Sequence, residues 1–234
     1  MTGDNAPLVS IIVPVYNEAG TVSAVIDRLR TIEFSAPREI IVVNDGSTDG
    51  TREALEGMTP GPDVHIIHAD RNRGKGHAVR LGITRTRGSV VAIQDADLEL
   101  DPAQLPGLVA PVLRGEADVV YGSRFLHPTN APFMTIAGNR LLTTLTNLLF
   151  GASLTDMETC YKVMRGDVAR GLTLTADRFD IEPEITARLL LGGYRIVERP
   201  VRFDARSRTA GKKMRWRDGW MALRMLLAQR LRGR

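Results

Sequence analysis

The sequence of 234 residues predicts an α/β protein whose mostly parallel central sheet is flanked by helices. Short apolar runs rich in Val and Ile recur through the first 125 residues, as in strands that are buried on both faces. Amphipathic stretches separate these runs, and a β-α-β-α order gives parallel strands with right-handed crossovers. The hydrophobic share of 43% and the charged share of 25% exclude a disordered, collagen-like or disulfide-rich chain.

The individual strands and helices follow from these runs. The predicted strands are 8–15, 39–43, 64–68, 89–93 and 118–122, and the predicted helices are 21–30, 51–58, 77–84 and 105–114. Because ligands of such sheets bind beyond the carboxyl ends of the strands, the residues that follow each strand are the candidates for a functional site.

The second part of the chain has a different character. Residues 133–150 are apolar with polar interruptions, and they fall short of the uninterrupted apolar run that a membrane span needs. We expect one domain over residues 1–214 and a helical appendage over 215–234. Within the second part, the predicted elements are a helix over 181–192, a strand over 194–203, a polar loop over 204–214 and a basic amphipathic helix over 216–231.

Charge is distributed unevenly along the chain. Residues 202–234 carry eleven Lys or Arg and two Asp, a net charge of +9, which leaves −5 for residues 1–201 of the total of +4. Such a tail predicts an anionic partner: nucleic acid, a membrane surface or a substrate that bears phosphate. The single cysteine, Cys160, excludes an internal disulfide and fits a reducing, cytosolic compartment. The N-terminal residues do not form a secretory signal.

The residues after the first two strands suit a nucleotide. Tyr16 follows the first strand and Asp45 the second, so both side chains are expected side by side at one edge of the sheet. An aromatic ring can stack on a base, and a carboxylate can accept from a base N–H or a ribose hydroxyl. The alternative is an ordinary turn over residues 45–47 that begins a helix.

The loop after the third strand, residues 70–76, places Lys75 between two glycines. Glycines permit a close backbone approach, and the lysine adds a donor for a phosphate. The alternative is a basic loop that only contacts water.

Three carboxylates follow the fourth strand at alternating positions: Asp95, Asp97 and Glu99. In an extended chain they would point to one face and repel one another. A divalent cation removes that repulsion, and carboxylate oxygens suit Mg²⁺ or Mn²⁺. The alternative is an acidic helix N-terminus, which accounts for Asp101 but not for Asp95, the carboxylate nearest the strand.

Four motifs follow the first four strands or lie within them: V-S-I-I-V-P-V-Y-N-E at 9–18, V-V-N-D-G-S-T-D-G-T at 42–51, N-R-G-K-G-H-A-V-R at 72–80 and D-A-D at 95–97. Together they resemble the family 2 glycosyltransferases of the GT-A fold. Three later segments are Y-G-S-R at 121–124, D-M-E-T-C-Y-K at 156–162 and R-S-R-T-A-G-K-K at 206–213. These resemble the branch of that family that makes dolichyl- or polyprenyl-phosphate hexoses, and the likeness covers nearly the whole chain.

The resemblance implies roles for residues on the donor side. Asp95 would lie near the sugar and ribose, and Asp97 and Glu99 would hold Mg²⁺ or Mn²⁺ on the diphosphate, together with Asp95. The residues implied in binding the nucleotide sugar are Pro14, Tyr16, Glu18, Asp45, Asp70, Lys75, Asp95, Arg206 and Lys212.

The implied reaction is an inverting transfer of a hexose from a nucleotide sugar to a polyprenyl phosphate, with a UDP-sugar favoured over GDP-mannose. The catalytic set is Asp95, Asp97, Asp156 and Arg124, and the acceptor-binding set is Arg124, Lys162, Arg208 and Lys213. Asp156 would be a base for a hydroxyl acceptor or would orient the acceptor, unless it is an ordinary loop aspartate.

Two questions about partners stay open at this stage. The apolar stripe of the last helix suits either a membrane interface or core packing; it consists of Trp216, Trp220, Leu223, Leu227 and Leu231. We expect peripheral attachment to the cytoplasmic face of a membrane and no nucleic-acid partner, and the sequence does not indicate the oligomeric state. Two alternative functions are the same donor chemistry with a soluble hydroxyl or glycan acceptor, and a non-catalytic module that binds nucleotide sugar or membrane.

Overall fold

A computed structural model describes residues 7–58, 61–205 and 216–232. The fold is α/β, with a seven-stranded sheet in the order β3-β2-β1-β4-β6-β5-β7. The strands are β1 Val9–Val15, β2 Arg38–Asn44, β3 Val64–His68, β4 Val90–Ile93, β5 Val119–Ser123, β6 Lys162–Arg165 and β7 Ile196–Pro200. The helices are α1 Val22–Thr31, α2 Thr51–Glu56, α3 Lys75–Ile83, α4 Leu105–Leu113, α5 Phe133–Phe150, α6 Gly166–Gly171, α7 Ile181–Leu191 and α8 Trp216–Arg232.

The first four strands are parallel, with β1 between β2 and β4. Every residue of β1 is buried, because helices cover both faces of the sheet. One face packs on α1 and α4, and the other packs on α3 and α7. These observations confirm the predicted fold class and the five predicted strands, within a residue or two at each end.

The sequence analysis missed the antiparallel strand β6, which lies between β4 and β5. This strand has only four residues and carries a charge at each end, Lys162 and Arg165. Both charges break the apolar run by which the other strands are identified. The short helix α6, which follows directly, was not predicted either.

Helix α8 packs on α5 and α7, but not through the stripe that the sequence singled out. Ala222, Leu226 and Gln229 form its buried side. Trp220 and Leu231 of the stripe are 59% and 73% exposed. The side chain of Trp216 lies outside the described part of the chain, as do most of the predicted loop 204–214 and the predicted boundary at 214. None of the helices described has the length and hydropathy needed to cross a bilayer.

Candidate active site

The carboxyl ends of β1 and β2 meet as predicted. Val15 pairs with Asn44, and the backbone N–H of Asp45 donates to the carbonyl of Val15 at 2.8 Å. Tyr16 and Asp45 therefore follow neighbouring strands at the same level. The ring of Tyr16 is partly exposed to solvent, whereas Asp45 is buried.

Asp45 holds the loop that follows β3. Its Oδ2 accepts from the backbone N–H groups of Arg73 and Gly74 at 3.0 and 2.6 Å, and its Oδ1 lies 3.0 Å from Nδ1 of His77. Hydrogen bonds to a carboxylate are stronger than those between neutral groups. Asp45 thus fixes the 73–77 loop at the end of β2, and its predicted contact with a base stays a prediction.

Glycine is required where this loop crosses the turn after β2. Gly46 has a φ of +65°, and a Cβ placed there would lie 2.5–2.6 Å from the backbone of Arg71 and Asn72. Such contacts are too short for any side chain. The turn and the loop therefore lie directly against each other, with Asp70 exposed at the start of the loop.

The two glycines that flank Lys75 lie against another segment of the protein. A Cβ on Gly74 would lie 2.5 Å from the carbonyl oxygen of Asp177, and a Cβ on Gly76 would lie 2.4 Å from the carbonyl oxygen of Ala176. The N–H of His77 donates to the carbonyl of Asp177 at 3.0 Å. The close approach that these glycines permit is thus to the protein's own segment 176–178.

The chain is not extended through the carboxylates after β4, so their alternating spacing does not by itself place them on one face. The strand ends at Ile93 and the chain turns at Ala96 and Asp97. Leu98 has a φ of +62°, and the N–H of Glu99 donates back to the Asp97 carboxylate at 3.2 Å. A period of two positions holds only while the chain is extended.

Asp95 is partly exposed and lies 2.8 Å from the ammonium of Lys75. The Asp95 and Glu182 carboxylates raise the pKa of Lys75 above its ordinary value, although burial works in the opposite direction. Lys75, from the loop after β3, and Asp95, from the end of β4, are therefore in direct contact. This brings two of the predicted donor residues together.

Pro14 and Glu18, also predicted to bind donor, are both buried. Pro14 lies inside β1, beyond Ile12, the last residue of β1 that pairs with β4. Glu18 accepts a hydrogen bond from the hydroxyl of Thr21 at 2.9 Å. Both residues belong to the protein interior at the carboxyl end of β1. Their predicted roles in binding the donor stay predictions.

The oxygen-rich set after β4 suits Mg²⁺ or Mn²⁺ in its chemistry. Within the described residues, no three acidic, His or Cys side chains are grouped so that they alone could hold a metal ion. Mg²⁺ is commonly bound by one or two carboxylates together with substrate phosphates. Asp95 and Asp97 fit that partial role, and the proposed three-residue set that includes Glu99 does not gather in this structure.

A second group of residues forms around Asp156, between β5 and β6. The guanidinium of Arg124 donates to both carboxylate oxygens of Asp156, at 2.7 and 2.8 Å. The backbone N–H of Arg124 and the amide of Asn139 donate to the same carboxylate at 3.0 and 3.2 Å. Glu198 of β7 accepts from the N–H of Asp156 at 3.0 Å. Asp156 is 0% exposed, and Arg124 reaches solvent at one edge.

Burial alone would raise the pKa of Asp156, but the charge and hydrogen bonds of Arg124 more than offset it and hold this pKa below its ordinary value. A carboxylate that is fully buried, ionised and engaged by four donors is a poor base. The geometry therefore speaks against the predicted role of Asp156 as a base. What Asp156 holds in this structure is Arg124, and its predicted role in orienting the acceptor stays a prediction.

Lys162, predicted to bind the acceptor, is 0% exposed. Its ammonium lies 2.8 Å from the carboxylate of Glu182, donates to the carbonyl of Met157 at 2.9 Å and stands over the ring of Tyr121. The structure therefore places Lys162 behind the site, where it reaches protein groups. The geometry therefore does not favour direct contact between the Lys162 ammonium and an acceptor.

Three glutamates of this region were not identified from the sequence: Glu158, Glu182 and Glu198. Burial, and next the nearby Glu182 carboxylate, raise the pKa of Glu158 to about 7. One oxygen of Glu158 is buried with no hydrogen-bond partner among the described residues. The sequence feature that could have pointed to Glu182 is the pair of acidic residues in the first turn of α7. Acidic residues are common at helix N-termini, so this feature does not distinguish a site residue.

The predicted phosphate-binding residues Arg206, Arg208, Lys212 and Lys213 lie outside the described residues. Their assignments to donor and acceptor stay predictions.

Comparison with known proteins gives relatives over nearly the whole chain. A low-salt glycan biosynthesis hexosyltransferase of Haloferax volcanii is 28% identical over 96% of this chain and 54% of its own length. A dolichol-phosphate mannosyltransferase of Pyrococcus furiosus is 29% identical over 87% of this chain and 58% of its own length. The chain thus spans little more than half the length of these curated relatives.

Among solved structures, glucosyl-3-phosphoglycerate synthase from Mycobacterium tuberculosis, in complex with Mn²⁺, UDP-glucose and phosphoglyceric acid, superposes with a TM-score of 0.74. It is 19% identical in sequence, and the match covers 97% of this chain and 80% of that one. The fold is that of the GT-A glycosyltransferases. The model of the family described as "Glycosyl transferase family 2" matches residues 10–172. More than half of the sequence falls within that match, and the chain therefore belongs to glycosyl transferase family 2.

Proposed function

We propose that this protein transfers a hexose from a nucleoside diphosphate sugar to a polyprenyl phosphate. A UDP-sugar is the favoured donor, with GDP-mannose as the alternative. The observation that carries the proposal is the buried pair of Arg124 and Asp156, which offers an oriented cation but no free base.

An anionic acceptor fits such a pair. A lipid phosphate is already ionised near neutral pH and attacks without losing a proton to the protein. Its charge needs a fixed cation, and a guanidinium held by a carboxylate is a rigid phosphate ligand. Arg124 would position the phosphate oxygen for attack on the anomeric carbon, and the configuration there would invert as the nucleoside diphosphate leaves.

On the donor side, the edge formed by Tyr16 and Asp45 would receive the nucleotide. Lys75 would offset charge on the leaving diphosphate, and Asp95 would face the sugar. Asp95 and Asp97 are the residues that would hold Mg²⁺ or Mn²⁺. A bound ion would supply positive charge to the diphosphate as the bond to the sugar breaks.

The relatives support the same class of substrates. The mannosyltransferase of Pyrococcus furiosus is named for dolichol phosphate, and the structural neighbour from Mycobacterium tuberculosis was solved with Mn²⁺ and UDP-glucose.

The test is incubation of the protein with UDP- and GDP-sugars, Mg²⁺ or Mn²⁺ and a short-chain polyprenyl phosphate. We expect a sugar-phosphate lipid that is lost when acceptor or metal is omitted. Absence of product with every common donor, from protein that is folded, would overturn the proposal.

A hydroxyl acceptor is the second candidate, and Glu158 is the observation that favours it. Its pKa of about 7 suits a proton acceptor at neutral pH, and one of its oxygens has no hydrogen-bond partner among the described residues. This alternative predicts product with a soluble hydroxyl acceptor and loss of that product in Glu158→Gln. The lipid-phosphate proposal predicts that Glu158→Gln still makes product.

We further propose that α5 and α8 meet the membrane that holds the acceptor. The two helices pack on each other, and each exposes large apolar side chains. Exposed arginines, Arg140 and Arg224, lie on the same helices. Exposed apolar residues beside basic ones suit an interface that contains anionic lipid. The exposed apolar residues are Phe133, Met134, Leu141 and Leu148 on α5 and Trp220, Leu227 and Leu231 on α8.

Sedimentation with vesicles that contain anionic lipid tests this surface. The double variant Leu227→Glu/Leu231→Glu should reduce the bound fraction about tenfold, because each substitution removes apolar contact and adds repulsion. The matched control is Thr31→Glu/Thr84→Glu, which adds the same charge at exposed positions of other elements. Equal loss of binding in both double variants would indicate a general charge effect and contradict the proposed surface.

A further inference from the structure

Glu182, in the first turn of α7, lies between two lysines from distant parts of the chain. Its Oε1 is 2.9 Å from the ammonium of Lys75, and its Oε2 is 2.8 Å from the ammonium of Lys162. Lys75 also contacts Asp95 at 2.8 Å. Asp95, Lys75, Glu182 and Lys162 therefore form an unbroken chain of alternating charges.

The two lysines belong to different halves of the proposed site. Lys75 begins α3, next to the loop that Asp45 holds, and it contacts the carboxylate after β4. Lys162 begins β6, and its contact with the carbonyl of Met157 ties it to the segment that carries Asp156. The carboxylate of Glu182 therefore contacts a lysine from each of the two halves.

The buried ion pairs of Glu182 fix the positions of the two lysine side chains. The side chains of Glu182 and Lys162 are almost completely shielded from water, and that of Lys75 is largely so. Shielding strengthens the attraction between opposite charges and makes an unpaired charge costly. A lysine side chain is otherwise flexible, so one carboxylate that takes both ammonium groups fixes two mobile side chains.

We propose that Glu182 is a positioning residue for sugar transfer, which sets Lys75 against the donor and Lys162 behind the acceptor segment. The proposal rests on the function proposed above. Without the Glu182 charge, Lys75 pairs with Asp95 alone and neutralises the carboxylate that would face the sugar. Lys162 at the same time loses the carboxylate that it pairs with, and its hold on the Met157 carbonyl, one of several contacts of the Asp156 segment, is weakened.

The expected result for Glu182→Gln is a donor KM raised about tenfold and a kcat lowered 10- to 100-fold. Glu182→Asp keeps the charge but is too short to reach both lysines. It should fold normally and show a smaller loss in kcat, about three- to tenfold. Because Lys75 would act with Glu182, the combination of Lys75→Met with Glu182→Gln should lose much less than the product of the two single effects.

Glu39 provides the matched control, because it lies at the start of β2, at the opposite end of that strand from Asp45. It is also a buried carboxylate in an ion pair: it accepts from the backbone N–H of Arg87 at 2.8 Å and lies 2.7 Å from the Arg87 guanidinium. Glu39→Gln should lower the melting temperature and leave kcat and KM within about twofold of wild type.

Two measurements separate this inference from the proposed function. Calorimetric titration with UDP and GDP reports the donor side without any acceptor, and the lipid product assay with wild-type protein reports the function itself. If the wild type is active and Glu182→Gln has the same kcat and donor KM, the inference is overturned and the proposed function is not. If Glu182→Gln does not fold, the same result in Glu182→Asp overturns the inference. A wild type that binds neither nucleotide and makes no product overturns the proposed function.

Discussion

Around Asp45 the site is held by backbone N–H groups and a tight glycine turn, whereas around Asp156 it is held by buried ion pairs. The first region joins loops that follow neighbouring parallel strands. The second joins β5, α5, the segment before β6, and β7. The backbone hydrogen bonds around Asp45 depend on the geometry of the turn. The ion pairs around Asp156 depend on the balance of buried charges. The two regions should therefore respond differently to substitution.

The largest effect is expected at Asp156. Replacing it by Asn leaves Arg124, which is mostly buried, without its carboxylate. Loss of one partner of a buried pair costs about 3–5 kcal/mol in the free energy of unfolding. Sugar transfer should fall by at least about 100-fold, because Arg124 is no longer held in place. Urea unfolding and initial rates measure the two effects.

The double variant Arg124→Met/Asp156→Asn is the control for this prediction. Removing both charges should recover most of the stability but none of the activity. Full activity in Asp156→Asn would mean that Arg124 needs no orientation, and the contrast between the two regions would disappear.

A smaller effect is expected at Gly46, in the first region. Gly46→Ala forces a side chain into a left-handed backbone conformation and against the backbone of Arg71 and Asn72. Strain and overpacking together should cost about 2–4 kcal/mol. Nucleotide binding, measured by calorimetry, should weaken because the loop moves. Gly20→Ala, where a Cβ meets no atom within 4 Å, is the matched control. Equal binding in both variants would show that this close approach is dispensable.

The smallest effect is expected at Glu158 and depends on pH. Its pKa rises from 4.5 in the unfolded chain to about 7 in the folded protein, so folding favours the protonated form. This contribution is complete below pH 4.5 and is lost as the pH rises to about 7. Glu158→Gln should therefore match wild type near pH 4 and exceed it by about 1–3 kcal/mol at pH 8. Melting temperatures at the two pH values test this, and a difference independent of pH would contradict it.

The first region was largely predictable from the sequence because its parts are local. Strands β1 to β4 are apolar runs, and the residues just after them meet at one edge by the rules of parallel sheets. The error lay in extending the alternation of β4 into Asp97 and Glu99, where the chain turns and Leu98 takes a left-handed conformation. No residue there signals the turn as glycine would.

The second region was much less predictable. Arg124 and Asp156 were both identified, but their pairing joins residues 32 positions apart. Lys162 was assigned to the acceptor from the family resemblance of residues 156–162, which says nothing about whether its side chain is buried. Its burial depends on Glu182, twenty positions later and on another element. Long-range charge pairs of this kind leave no periodic pattern in the sequence.

Glu198 on β7 has a consequence for exchanging parts between relatives. Its carboxylate accepts from the backbone of Thr155 and Asp156, yet it lies beyond residue 172, where the match to the family ends. Glu182 lies beyond that point as well. A chimaera that kept residues 10–172 and took its later segment from another member would preserve all but one of the motifs quoted above, the exception being the segment at 206–213. It would nevertheless replace two of the carboxylates that hold those motifs in place, so grafting for a new acceptor must carry both glutamates across.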